Sequence, residues 1–238
     1  MVRGLLFFLT LFYATALCAQ HKRIYLFPGL GADAALFSKT ILPGCDTTII
    51  SMPVPLKNET MHAYALRIAT QVDTTTPYAF IGVSLGGMVA VEMAGFLRPE
   101  KIILISSAKA RKELPLRYKF QEVVPVYTVF SGKFYKRMSN IMRPLVEPES
   151  RKDDSLFTAM IERKDPLFMK RAIGMICKWN PDSNRSDIIH FHGTSDHTLP
   201  CRFTKNAIKI KKGSHMMTYS RAQEMNKQLN LILQDYCN

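Results

Sequence analysis

The run YAFIGVSLGG at 78–87 limits the fold of this 238-residue chain more than any other stretch. Apolar, β-preferring residues at 78–82 break into Gly82-Val83-Ser84-Leu85-Gly86, and a helical pattern begins at once from Leu85 towards Phe96. A strand that turns into a helix so sharply strains the backbone of its apex residue. Small residues two places either side keep the neighbouring backbone from colliding. The Ser84 hydroxyl is then presented above the sheet edge, and the Leu85 N–H points to where an oxyanion would form. The bare G-x-S-x-G pattern also fits an ordinary glycine turn. The strand before it and the helix after it favour the serine elbow.

The rest of the chain repeats the strand-then-helix rhythm. Short apolar runs at 23–27 (RIYLF), 47–52 (TTIISM), 101–106 (KIILIS), 187–192 (DIIHFH) and 207–211 read as further strands. Helical spacing covers 33–42, 61–72 and about 220–233, with Asn58-Glu59-Thr60 offering capping groups before the second of these. Nearly continuous apolar strands alternating with helices predict an α/β fold, with a mostly parallel sheet of about six strands covered on both faces. Residues 110–185 break the rhythm. They carry aromatics and charges at helical spacing, punctuated by Pro115, Pro125, Pro144, Pro148 and Pro166, with no convincing strand. They read as a helical lid inserted between core segments at 20–109 and 186–238.

The N-terminus is of a different character. Arg3 precedes an apolar stretch from Leu5 to about Leu17, and Ala14, Ala16 and Ala19 supply a small-residue exit. This pattern predicts a signal peptide at 1–19, cleavage after Ala19 and export to a periplasmic or extracellular space. Lipidation at Cys18 and an uncleaved membrane anchor are the alternatives, the first weakened by Leu17, the second allowed by His21-Lys22-Arg23 beyond the apolar core. Removal of the signal leaves Cys45, Cys177, Cys201 and Cys237, which permit three full pairings or four free thiols. No C-x-x-C spacing or accompanying histidine pair points to metal, and no cofactor is expected.

Charge is unevenly spread within the net +13. Residues 111–178 hold fifteen Lys/Arg against eight Asp/Glu. A solvated helical surface explains this; attraction to an anionic membrane face or to acidic substrates is the sharper alternative. No recognition motif accompanies the charge, which argues against nucleic acid.

A serine nucleophile needs a base, and the base needs a carboxylate to orient it. In an open parallel sheet such groups belong just after strands. Asp196 follows the 187–192 strand in the turn Gly193-Thr194-Ser195-Asp196, and the position after the 101–106 strand holds no carboxylate. His215 follows the last strand in a loop after Gly213-Ser214, whereas His62, His190, His192 and His197 sit on a helix, in a strand or beside the acid. The loop Phe27-Pro28-Gly29-Leu30-Gly31 after the first strand places the Leu30 N–H as a second oxyanion donor.

In FPGLG at 27–31, GVSLGG at 82–87, HGTSD at 192–196 and GSH at 213–215, the chain resembles the α/β-hydrolase superfamily over essentially all of residues 23–234. The layout is similar to its small, lid-bearing esterases and thioesterases. The resemblance implies Ser84 as nucleophile, Asp196 as acid, His215 as base, and Leu30 and Leu85 as backbone oxyanion donors. Pro28-Gly29 stands where many relatives carry His-Gly, and the two earliest strands of larger members have no counterpart. An exported serine hydrolase of a small or lipid-like ester or thioester is therefore expected. A lyase-type enzyme using the triad as a proton shuttle is the alternative. A non-catalytic binding member would be expected to have lost a triad residue. Phe120, Tyr127, Phe130, Phe134, Tyr135, Phe157, Phe168 and Trp179 are candidates for an acyl pocket or for the core of the lid.

Overall fold

The computed structural model describes residues 22–147, 154–181 and 187–237. The expected signal peptide at 1–19, with Cys18 and Ala19, lies outside the described residues, as does Pro148. Six parallel strands form one sheet in the order β2-β1-β3-β4-β5-β6: β1 (Lys22–Phe27), β2 (Cys45–Ile49), β3 (Tyr78–Val83), β4 (Lys101–Ile105), β5 (Ile188–Gly193) and β6 (Ile208–Ile210). The chain runs outward from β1 to β2 and then returns to place β3 on the other side of β1. That reversal opens a crevice between the loops that leave β1 and β3, where an open α/β sheet binds its ligands. The register Phe27↔Gly82 brings Pro28-Gly29 beside the Ser84 turn.

Side-chain alternation divides the strands between two cores. Tyr25, Phe27, Phe80, Ile102 and Leu104 face helices α1 (Met61–Ile68) and α2 (Leu85–Met93). Ile24, Leu26, Ile81, Ile103 and Phe191 face the C-terminal helix, α8 (Ala222–Cys237), through Met225, Leu229 and Leu233. Helix α1 shows the local logic. Thr60 caps its N-terminus through Oγ1, which accepts from the Ala63 N–H at 3.1 Å, and Met61, Tyr64, Ala65 and Ile68 make one buried face.

Between β4 and β5 lie α3 (Leu116–Val123), α4 (Gly132–Val146), α5 (Asp154–Arg163) and α6 (Pro166–Lys178), with no strand among the described residues there. Pro115 and Pro166 stand at helix starts, where a missing N–H is harmless. Pro144 falls within the last turn of α4, and the helix continues to Val146. A four-residue helix, α7 (Met217–Ser220), precedes α8.

Two elements differ from those expected. The 33–42 segment makes only one 3-10 turn, Ala34–Phe37, capped by Asp33. Beyond it the Asn226 side chain bonds the Ile41 N–H and the Lys39 carbonyl, so contact with α8 overrides the local helical pattern. Strand β2 begins and ends earlier than 47–52, pairing from Cys45 with Lys22 of β1. Cys45 is disulfide-bonded to Cys237 at the end of α8; Cys177 is a buried free thiol and Cys201 a half-buried one. Among the described residues no helix is long and apolar enough to cross a membrane.

Candidate active site

Ser84 sits at the apex between β3 and α2 with φ 53° and ψ −120°, a backbone conformation that L-residues rarely adopt. Close packing explains the glycines around it. A Cβ on Gly82 would lie 2.5 Å from the Gly87 Cα, and one on Gly86 would lie 2.2 Å from the Phe27 carbonyl oxygen. The apex is pinned from β4: the Ser84 N–H donates to the Ile105 carbonyl at 3.1 Å, and the Ser107 hydroxyl donates to the Ser84 carbonyl at 2.6 Å.

The three residues expected after different strands converge here. The Ser84 Oγ lies 2.9 Å from the His215 Nε2, and the His215 Nδ1 lies 2.8 Å from the Asp196 Oδ2. With Nδ1–H donated to the carboxylate, Nε2 is free to accept the serine proton. Asp196 is only 4 % exposed and is fully engaged. Its Oδ1 accepts from the Leu199 N–H at 2.7 Å, and its Oδ2 also meets the His192 Nε2 at 3.2 Å.

Burial alone would raise the Asp196 carboxyl, but the His215 charge and the hydrogen bonds from His192 and His215 hold it well below the usual carboxylate range. Burial likewise works to lower His215; the Asp196 carboxylate, through charge and hydrogen bond, outweighs it and raises the imidazole above its ordinary value. Three of the other histidines have partners of their own. His192 braces the acid loop, with Nε2 at 2.5 Å from the Leu199 carbonyl and Nδ1 at 3.2 Å from the His190 Nε2. Burial, then the neighbouring His192, push His190 down to about 3. His62 lies on α1 against Glu92, at 3.1 Å.

Leu30 borders the same space as Ser84, and a Cβ on Gly29 would stand 3.2 Å from the Ser84 Cβ, so the 28–31 loop runs directly against the serine. Leu85 is the first residue of α2, where N–H groups have no partner within the helix. A cavity of about 390 Å³ opens over Ser84 and His215. Its walls are mostly apolar: Met88 of α2, Tyr118 of α3, Tyr135 and Met138 of α4, Phe157 of α5 and Ile173 of α6. Of the eight aromatics noted in the sequence, Tyr135 and Phe157 line this cavity, while Tyr127, Phe168 and Trp179 are buried. Phe120, Phe130 and Phe134 do neither; they are exposed.

Two contacts tie the 110–185 helices to the site loops. Arg117 donates to the Thr198 carbonyl beside Asp196. Glu147, only 4 % exposed, accepts from the Met216 N–H at 3.2 Å, next to His215. Burial raises the Glu147 carboxyl, against the lowering effect of His215. The sequence assigns no site role to Glu147 or Ser107, which no local motif marks, or to His192, which opens the HGTSD motif but reads there only as a residue at the end of a strand. Among the described residues no three His, Cys, Asp or Glu side chains are grouped so as to hold a metal ion.

The parallel sheet reversing at β1, with a serine elbow after β3, an acid after β5 and a histidine after β6, is the α/β-hydrolase fold. No family model matches the chain, and no curated protein matches it in sequence. Solved structures do. A thermophilic esterase from Thermogutta terrifontis superposes with a TM-score of 0.68 at 17% identity, covering 92% of this chain and 91% of its own. A hydrolase from Pseudomonas aeruginosa gives 0.71 at 13% identity, covering 91% of each chain. The enol-lactonase from Burkholderia xenovorans gives 0.66 at 14%, covering 90% of this chain and 92% of its own. At such identities the likeness is one of fold.

Proposed function

We propose that this protein is an exported serine hydrolase that cleaves a carboxylic ester or thioester through an acyl-enzyme. The observation that carries the reading is the unbroken Ser84–His215–Asp196 hydrogen-bonded chain, at 2.9 and 2.8 Å, beneath an apolar cavity. His215 Nε2 takes the Ser84 proton as Oγ attacks the carbonyl carbon. The N–H groups of Leu85 and Leu30 receive the oxyanion. His215 then gives the proton to the departing alcohol or thiol. A water that loses its proton to the same nitrogen releases the acid and restores the serine. The helices at 110–185 act as a lid whose apolar inner side receives the acyl chain of a small or lipid-like ester. The esterase and lactonase neighbours support ester chemistry of this kind. Export rests on the N-terminal apolar stretch and is supported by the Cys45–Cys237 disulfide, a bond that persists in oxidising compartments.

Fluorophosphonate labelling followed by peptide mapping tests the nucleophile. One adduct on Ser84, lost in Ser84→Ala and in His215→Ala but kept in His197→Ala, is the expected result. A folded protein that takes no label while a control hydrolase does removes the reading.

A further inference from the structure

Helix α3 is two-sided in an unusual way. Arg117, Tyr118 and Gln121 line the cavity, whereas Leu116, Phe120 and Val123 project outward, 73 %, 60 % and 81 % exposed. The turn after it continues outward with Val124, Val126 and Val129, the last 76 % exposed. Phe130 and the first-turn Phe134 of α4 then stack at a centroid distance of 4.3 Å, both still partly in solvent. One short stretch thus displays a run of large apolar side chains of a kind that soluble monomers seldom leave uncovered unless it is used.

Cations surround this stretch. Lys119 and Lys133 lie within it, Lys136 and Arg137 directly follow it, and its one carboxylate, Glu122, is paired with Arg111 at 2.5 Å. Beside it the turn at Tyr127-Thr128 walls a second cleft of about 390 Å³ that gathers Lys57, Lys170, Arg171 and Lys178. The only carboxylate lining that cleft among the described residues, Glu59, is held by Arg67 at 2.7 Å.

We propose that the face carried by residues 116–134, with the basic cleft beside it, docks on an anionic lipid surface. The apolar side chains would enter the boundary between headgroups and acyl chains, and the lysines and arginines would meet lipid phosphates. Charge selects this occupant over a second copy of the chain. Stacking two such faces would bring like cations together on molecules that each carry +13. The same helices that touch the lipid form the cavity wall, so docking sets the reaction cavity against the membrane that holds a lipid-like ester. Docking itself needs no turnover and stands apart from the hydrolase reading.

Co-sedimentation of the full chain with vesicles of phosphatidylcholine, alone or mixed with phosphatidylglycerol, tests the proposal. The parent partitions onto the mixed vesicles and is released by high salt. The variant Phe120→Ser/Val123→Ser/Val129→Ser partitions at least about tenfold less, yet melts like the parent and hydrolyses water-soluble p-nitrophenyl acetate within about twofold of it. Lys133→Glu/Lys136→Glu loses the preference for the anionic vesicles. Any of three results overturns the proposal: a parent that binds neither vesicle; a triple variant that binds as well as the parent, as it would if the apolar N-terminal residues carried the binding; or a parent that sediments as a dimer that the triple variant dissolves.

Discussion

Ser84 is held at φ 53°, a backbone conformation costing roughly 1–3 kcal/mol, by bonds from Ile105 and Ser107 and by the close approach of Gly82, Gly86 and Gly87. That strain aims Oγ at the one nitrogen of His215 that Asp196 leaves available. The pH behaviour follows from the same pair. On the proposed mechanism His215 must be neutral to act as base, so its raised ionisation predicts an acid limb of kcat/KM above the ordinary histidine value of about 6.5. Stability runs the other way. A raised histidine contributes most below about pH 6.5, and that contribution fades as pH rises through its folded value. Asp196, depressed, contributes above the ordinary carboxylate value of about 3.9 and loses its contribution as pH falls through its folded value. Asp196→Asn is expected to lower kcat by about 10³–10⁴ and to move the acid limb downward, because the charge that raised His215 is gone. A pH–rate profile of the variant checks both. An unmoved limb would show that Asp196 does not set the base.

The elements that build the site were legible in sequence where one local rule decides them. The β3–α2 elbow is dictated by Gly82 and Gly86, since any Cβ there meets backbone at 2.5 or 2.2 Å. Gly86→Ala is accordingly predicted to cost more than about 3 kcal/mol of stability, read by chemical denaturation, and to abolish labelling of Ser84. A variant as stable as the parent would mean that the turn is looser than its packing implies. Asp196 and His215 could be found because strand ends in a parallel sheet share one edge. Ser107 and Glu147 could not, for their partners lie 23 and 69 residues away and their own surroundings carry no motif; His192 opens HGTSD, but its position at a strand end does not show that its ring braces the acid loop. The 33–42 segment failed for the converse reason. Its helical spacing is real, but Asn226 takes the backbone groups a longer helix would have used. Helical spacing makes Phe120, Phe130 and Phe134 candidates for pocket or core, and their exposure follows only from where α3 and α4 turn their faces.

Across the whole molecule, the Cys45–Cys237 bond joins the edge strand β2 to the last helix over 192 residues of chain. Chain entropy alone allows such a link about 5 kcal/mol, and measured disulfides more often contribute about 2–4. Cys45→Ser/Cys237→Ser is expected to lower Tm by about 10 °C, with Cys201→Ser close to neutral, as a calorimetric comparison would show. Equal melting of the two variants would deny the clasp a role in holding the ends together. The reversal of the sheet at β1 and the helices at 110–185 bring their loops around Ser84, where the proposed reaction forms a covalent acyl-enzyme. Rapid mixing with a p-nitrophenyl ester followed by acid quench and intact-mass measurement tests that event most directly. The predicted result is a burst of about one p-nitrophenolate per enzyme and an acyl adduct that maps to Ser84. Turnover without burst or adduct, in a folded protein whose Ser84→Ala variant is still active, would contradict it.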